Sequence, residues 1–261
     1  MRAFMLFVLA MPAALTTGCG GKYVMTVPEQ VAPAGGEARA VARLQRQEFA
    51  WYVPAVKETV LRFSVSNCPL RAAYTDKAGY AAVAVPVPQQ AGLYTMTVAI
   101  QDTEGQEAQQ QAPLYVIQKD SPLVAVDYNA LPANLSEASP AAVALRKIAA
   151  DYQIIYLTNQ PVEKHERIHR QLKAAQIPDG PVLLWGGLSP AGRQGQVERL
   201  RESFASLCVG ITDQDDGARA FEAGGLSTIM IGQENAHVAN VVRYGDWSSL
   251  AQHGLARPGE Q

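Results

Sequence analysis

Five short, almost wholly apolar runs in the second half of the chain constrain its fold more than any other feature. They are LVAVD (123–127), QIIYL (153–157), VLLW (182–185), LCVGI (207–211) and STIMI (227–231). Each is too short for a helix and lacks the alternation of a strand with one wet face, so each reads as a strand buried on both sides. Longer amphipathic stretches separate them. In the first of these, ASPAAVALRKIAADY, Ser139 is an N-cap and Pro140 takes the first helical position. Buried strands joined by helices predict a parallel, doubly wound α/β sheet over residues 121–250.

Residues 22–118 follow another pattern. Alternating, β-branched or aromatic runs such as TVLRFSVS, YAAVAVPVP, LYTMTVAIQ and APLYVIQ are separated by the turn-forming clusters APAGGE, TDKAGY, QQAGLY and DTEGQE. Short strands at that spacing predict an all-β antiparallel sandwich. The stretch AAYTDKAGYAAVAVPVPQQAGLYTMTVA resembles bacterial immunoglobulin-like domains, in which a TDxxGxA hairpin precedes a strand and a GxYxxxV strand closes the sheet. No acid, base or metal cluster converges in this half, so a spacer or adhesion module is the expectation.

With 261 residues and a formal net charge of −2, the chain has the length for one or two domains with ample core, and nothing in its charge balance points to nucleic acid. The N-terminus, MRAFMLFVLAMPAALTTGCGG, has one basic residue, an apolar run from Ala3 to Leu15 and small residues up to Cys19. That is the anatomy of an export signal, too short for a spanning helix. Leu15-Thr16-Thr17-Gly18-Cys19 resembles the bacterial lipobox, with Thr16 where Leu is usual. The resemblance implies a signal peptide over 1–18, acylation of Cys19 and an exported protein anchored to a membrane through lipid. The alternative is a soluble exported protein cut nearby. Cys68 and Cys208 remain, one in each half, which makes neither a disulfide framework nor a zinc ribbon. Cys208, within SLCVG, reads as a small core residue.

In an open α/β sheet the ligand sits at the carboxyl ends of the strands. Here the first strand ends in Asp127-Tyr128-Asn129, the second in Thr158-Asn159-Gln160-Pro161, and the fourth runs into GITDQDDGARAFEAGG with Asp213, Asp215 and Asp216. At these residues, over roughly 121–235, the chain resembles the haloacid dehalogenase-like phosphohydrolases. YQIIYLTNQPVEKHERIHRQLKAAQIPDGPVLLW is the most specific part and looks like the lipin-type and actin-patch-type phosphatidate phosphatases.

That resemblance implies Asp127 as a nucleophile forming an aspartyl-phosphate. It implies Thr158 as the hydroxyl that binds phosphoryl oxygens, and Asp213 and Asp216 as magnesium ligands beside Asp127, with Asp215 as a rival. Arg193 falls where the lipin-type pattern has its Lys, counting back from Phe204, and would supply the positive charge. Three residues depart from the pattern. Asn129 stands where a second Asp protonates the leaving oxygen, and an amide cannot do so. Leu131 replaces a Thr, and Gln160 replaces an Arg of the phosphatidate-directed relatives. The expected function is magnesium-dependent hydrolysis of a phosphomonoester, such as a phosphorylated small molecule or a lipid like phosphatidate. The rival is a module that binds phosphate or lipid without turnover.

Within the helix after the second strand, HERIH (165–169) fits the zinc-protease template H-E-x-x-H. Its His165 lies in register with Ile168, Leu172 and Ala175, a stripe that packs on or beside the sheet. Arg167 interrupts the template, Lys164, Arg167 and Arg170 oppose a cation, and His237 and His253 come with no third-ligand signature. Zinc is therefore not expected.

Overall fold

The computed structural model describes residues 22–49, 51–101, 107–186, 192–232 and 241–255. The expected signal at 1–18, Cys19 and His237 lie outside the described residues.

Among the described residues the first half holds eight strands: β1 (Lys22–Thr26), β2 (Gln30–Pro33), β3 (Glu37–Gln47), β4 (Val60–Val65), β5 (Arg71–Tyr74), β6 (Tyr80–Pro86), β7 (Gly92–Gln101) and β8 (Glu107–Ile117). One sheet has the order β1-β3-β6 and the other β2-β8-β7-β4-β5. Both face a single apolar core. Along β3 the residues alternate, and Ala38, Ala40, Ala42 and Leu44 are fully buried. The three small alanine side chains leave room for Phe63, Leu61, Met96 and Leu114 from the facing sheet, so large meets small across the layer. The expected wholly antiparallel pairing is corrected at one edge, because β2 runs parallel to β8. The TDKAGY cluster makes its turn through Asp76, whose Oδ1 accepts from the backbone N–H groups of Ala78 and Tyr80 at 2.8 and 2.9 Å. Gly79 has φ +81° there, and a Cβ would run into the carbonyl oxygen of Leu44.

The second half alternates strand and helix: β9 (Leu123–Asp127), α1 (Pro140–Ile148), β10 (Gln153–Thr158), α2 (His165–Ala174), β11 (Val182–Leu184), α3 (Gly192–Ser203), β12 (Leu207–Thr212), α4 (Asp215–Ala223), β13 (Ser227–Ile231), β14 (Val241–Tyr244) and α5 (Trp247–His253). The strands form one parallel sheet in the order β11-β10-β9-β12-β13-β14. All five residues of β9 are buried. Val124 and Val126 point to the face covered by α1, α2 and α5, while Leu123 and Ala125 point to the face covered by α3 and α4. Two buried faces explain why these strands read as continuous apolar runs rather than alternating ones. Ser139 Oγ accepts from the Ala142 N–H at 3.3 Å with Pro140 following, as the sequence predicts for the start of α1. Among the described residues no helix is long and apolar enough to cross a membrane.

The two halves meet directly. Ile117 at the end of β8 and Val31 on β2 join the apolar cluster of Leu123, Leu183 and Trp185. Glu29, between β1 and β2, crosses into the α/β half and is only 5% exposed.

Candidate functional site

The strand order reverses between β9 and β12, the first of which is followed by a connection to one side and the second to the other. A crevice opens at the carboxyl ends of strands at such a point. Asp127 ends β9 and Thr212 ends β12, and both are fully buried. Donors engage both oxygens of the Asp127 carboxylate. Its Oδ1 accepts from the Asn129 backbone N–H at 2.9 Å and from Asn129 Nδ2 at 2.8 Å. Its Oδ2 accepts from Thr212 Oγ1 at 3.1 Å. Three donors balance the desolvation of a buried charge.

Thr212 is the residue that sequence reasoning missed. It stands directly before Asp213, and it ends the fourth strand as Thr158 ends the second. Both hydroxyls hold their own turns: Thr158 Oγ1 accepts from Gln160 N–H at 3.1 Å and Thr212 Oγ1 from Gln214 N–H at 3.2 Å. Close approach of α4 to this strand end depends on Gly217, where a Cβ would meet the Thr212 side chain.

The acids after β12 separate into different environments. Burial pushes the Asp213 carboxyl up, and the charges of Asp127 and Asp216 add to that. Asp216 pairs with Arg193 Nη1 at 2.6 Å, and the Arg193 guanidinium lies over the Trp185 ring, 5.1 Å from its centroid. Asp215, in the first turn of α4, makes no such pair among the described residues. The structure thus brings Asp127, Asn129, Asp213, Asp216 and Arg193 near one another at the carboxyl end of the sheet. Thr158 ends the next strand, with Leu157 opposite Asp127 in the sheet register.

Magnesium, which the resemblance implies, would draw on the carboxylate oxygens of Asp127, Asp213 and Asp216. Asp127 accepts three hydrogen bonds, which leave it lone pairs to spare, whereas Asp216 is paired with Arg193. Among the described residues no three His, Cys, Asp or Glu side chains are placed to hold a metal.

HERIH opens α2, and both of its histidines turn toward the β half. His165, 3% exposed, has Nε2 at 3.4 Å from the Gln160 carbonyl and Nδ1 at 3.5 Å from Glu29 Oε1. His169 is bracketed by carboxylates, with Nε2 at 2.8 Å from Glu29 Oε1 and Nδ1 at 2.9 Å from Asp179 Oδ1. Glu29 Oε2 also accepts from the Val182 N–H at 2.9 Å. The Tyr115 ring stacks on His169 at 6.5 Å between centroids. A zinc-protease Glu would aim at a metal-bound water; here the pair of histidines ties two sheets together instead.

No family model matches the chain, and no curated protein matches it. Similar solved structures include the Bacteroides ovatus GH5 xyloglucanase in complex with a XXXG heptasaccharide, at 9% identity over 84% of this chain and 71% of that one, with a TM-score of 0.25. The 2,6-sialyltransferase of Vibrionaceae Photobacterium sp. JT-ISH-224 is 10% identical over 81% of this chain and 39% of its own, with a TM-score of 0.24. Murine CRIg is 11% identical over 37% of this chain and 97% of its own, with a TM-score of 0.18. Likeness this slight carries no argument about fold or activity.

Proposed function

We propose that the α/β half is a haloacid dehalogenase-like domain of the phosphatidate-phosphatase kind that binds a phosphomonoester without efficient turnover. In this reading it belongs to an exported protein anchored by lipid at Cys19, and the β half is an immunoglobulin-like module that carries it. The observation behind this reading is the bond from Asn129 Nδ2 to Asp127 Oδ1 at 2.8 Å. In place of a carboxyl that could protonate a leaving oxygen, Asn129 offers an amide that occupies the nucleophile itself. The paired Thr212 hydroxyl takes the other oxygen. What remains for a phosphate is Arg193, held over the Trp185 ring, which can exchange the Asp216 carboxylate for phosphoryl oxygens.

A second reading has one observation in its favour. Asp213 sits beside Asp127 with its proton affinity raised, so it could stand in for the missing acid and restore phosphomonoester hydrolysis.

The test uses the mature chain, with inorganic phosphate and phosphatidate vesicles as binding probes and an aryl phosphate with magnesium as the turnover probe. Binding without turnover, weakened in Arg193→Ala, is expected. Asn129→Asp should gain hydrolysis, since general acid–base help is worth about 10² to 10⁴ in rate. Wild-type turnover abolished by both Asp127→Ala and Asp213→Asn would establish the second reading. Neither binding nor turnover in any variant would sink both.

A further inference from the structure

Past Gln47 the chain folds back as a narrow hairpin. Gln45 bridges Ala55 and Phe49 bridges Tyr52. Gln45 Nε2 donates to the Val53 carbonyl at 2.9 Å, and Phe49 and Tyr52 exchange backbone hydrogen bonds at 3.3 and 3.4 Å. At the tip stand three aromatic rings, with Phe49 61%, Trp51 85% and Tyr52 46% exposed. They lie against one another, Trp51 being 6.2 Å from Phe49 and 6.1 Å from Tyr52 between ring centroids. Single exposed apolar residues are ordinary; a cluster held out in water by its own hydrogen-bonded turn marks a contact surface.

The place where the chain enters the fold says what that surface meets. β1 is antiparallel to β3, and Lys22 pairs with Gln47. The first described residue therefore sits at the base of the aromatic hairpin. From there β1 runs away from the tip, reaching Thr26 opposite Arg43 and then Glu29 at the α/β half. Cys19 is three residues before Lys22, a reach of at most about 11 Å of extended chain. Acyl chains on Cys19 would hold the tip at the bilayer surface, where Trp and Tyr partition into the headgroup region. Lipid anchoring is also firmer with a second signal beside the acyl chain.

We infer that the tip formed by Phe49, Trp51 and Tyr52 is a second membrane contact that seats Trp51 in the bilayer interface beside the lipid anchor. This inference rests on the anchor in the reading above, and the experiment separates the two. The mature chain carrying Cys19→Ser, which has no acyl chain, is mixed with vesicles of phosphatidylethanolamine and phosphatidylglycerol. Of the three tryptophans, Trp185 is fully buried and Trp247 is 8% exposed, so a change in emission reports Trp51. A blue shift, quenching by brominated lipid and flotation with the vesicles are expected. Trp51→Ala and Phe49→Ala, at exposed positions outside the apolar core, should each weaken vesicle binding about tenfold.

Unchanged emission without flotation overturns the inference. So does an emission shift produced by soluble oligosaccharides and not by vesicles, which would make the tip a sugar platform. Palmitate labelling of the full-length chain in a bacterial host settles the anchor independently. A labelled chain whose Cys19→Ser form ignores vesicles defeats the inference alone. An unlabelled chain whose tip still binds them defeats the anchor alone and leaves the membrane contact standing.

Discussion

The buried carboxylate of Glu29, in the β half, is 2.8 Å from His169 Nε2 on α2 of the α/β half, across 140 residues of sequence. With Val182 N–H on its other oxygen and His165 beside it, Glu29 is held wholly by groups of the opposite half. A carboxylate so placed cannot be left without its partners cheaply, so the halves are locked in one arrangement by a polar contact as well as by Ile117 and Val31.

Glu29→Ala is expected to lower the unfolding free energy by about 3 kcal/mol, the order found when one partner of a buried ion pair is removed. Glu29→Gln, which can keep the Val182 bond, should cost less. Urea denaturation followed by fluorescence measures both, and a loss below about 0.5 kcal/mol for Glu29→Ala would mean that the contact holds nothing.

The same contact is expected to depend on pH in two directions. The His169 pKa is raised: its hydrogen bond to Glu29 raises it most, burial opposes, and the Glu29 charge and Asp179 add to the rise. Its contribution to stability is whole below its ordinary value of 6.5 and fades as pH climbs through the raised folded value. For Glu29, burial pushes the carboxyl up, but hydrogen bonds from His165, His169 and Val182 outweigh it and hold the pKa below 4.5. That contribution is whole above 4.5 and is lost as pH falls through the lowered value. Tyr115, pushed up by burial and by the charges of Glu29 and Asp179, stays neutral throughout. The cost of Glu29→Ala should therefore be greatest between pH 4.5 and 6.5 and smaller at about pH 9. An equal cost at both pH values would show that proton binding plays no part.

Gly217→Ala would ordinarily favour a helix by about 1 kcal/mol. In α4 its Cβ would lie 2.5 Å from Thr212 Oγ1, the hydroxyl that donates to Asp127. A net destabilisation of about 1 to 3 kcal/mol is expected, as in overpacked interiors. Thermal denaturation decides, and a higher Tm would show that the strand end yields.

Asp213→Asn should raise the Tm at neutral pH, because burial and the neighbouring charges of Asp127 and Asp216 disfavour its ionised form in the folded state. The gain should vanish at about pH 3, where the wild-type carboxyl is protonated in folded and unfolded chains alike. A variant less stable than wild type at neutral pH would contradict this account.

Much of the architecture was legible from residue patterns. The five apolar runs became β9 to β13, because strands buried on both faces leave an unmistakable run. β14 escaped notice because VVRY is short and half-exposed at the sheet edge, with Arg243 inside it. His165, Ile168, Leu172 and Ala175 form the buried stripe that their spacing predicts. The partner of that stripe was illegible. Glu29 sits in the polar segment TVPEQ, and nothing local distinguishes an acid that ends in solvent from one that crosses to another sheet. The strand-end residues were found from position, but the way Asn129 and Thr212 enclose Asp127 depends on side-chain directions that no spacing encodes.

The five-residue ladder between β1 and β3 also gives the molecule a mechanical order of events. A pull on the N-terminal end acts along β1, parallel to the strand, so its hydrogen bonds to β3 bear the load together in shear instead of opening one by one. Only after that ladder slips does tension arrive at Glu29 and the α/β half behind it. A pull on Lys22 is thus borne by β1 and β3 before it reaches the domain at the far end.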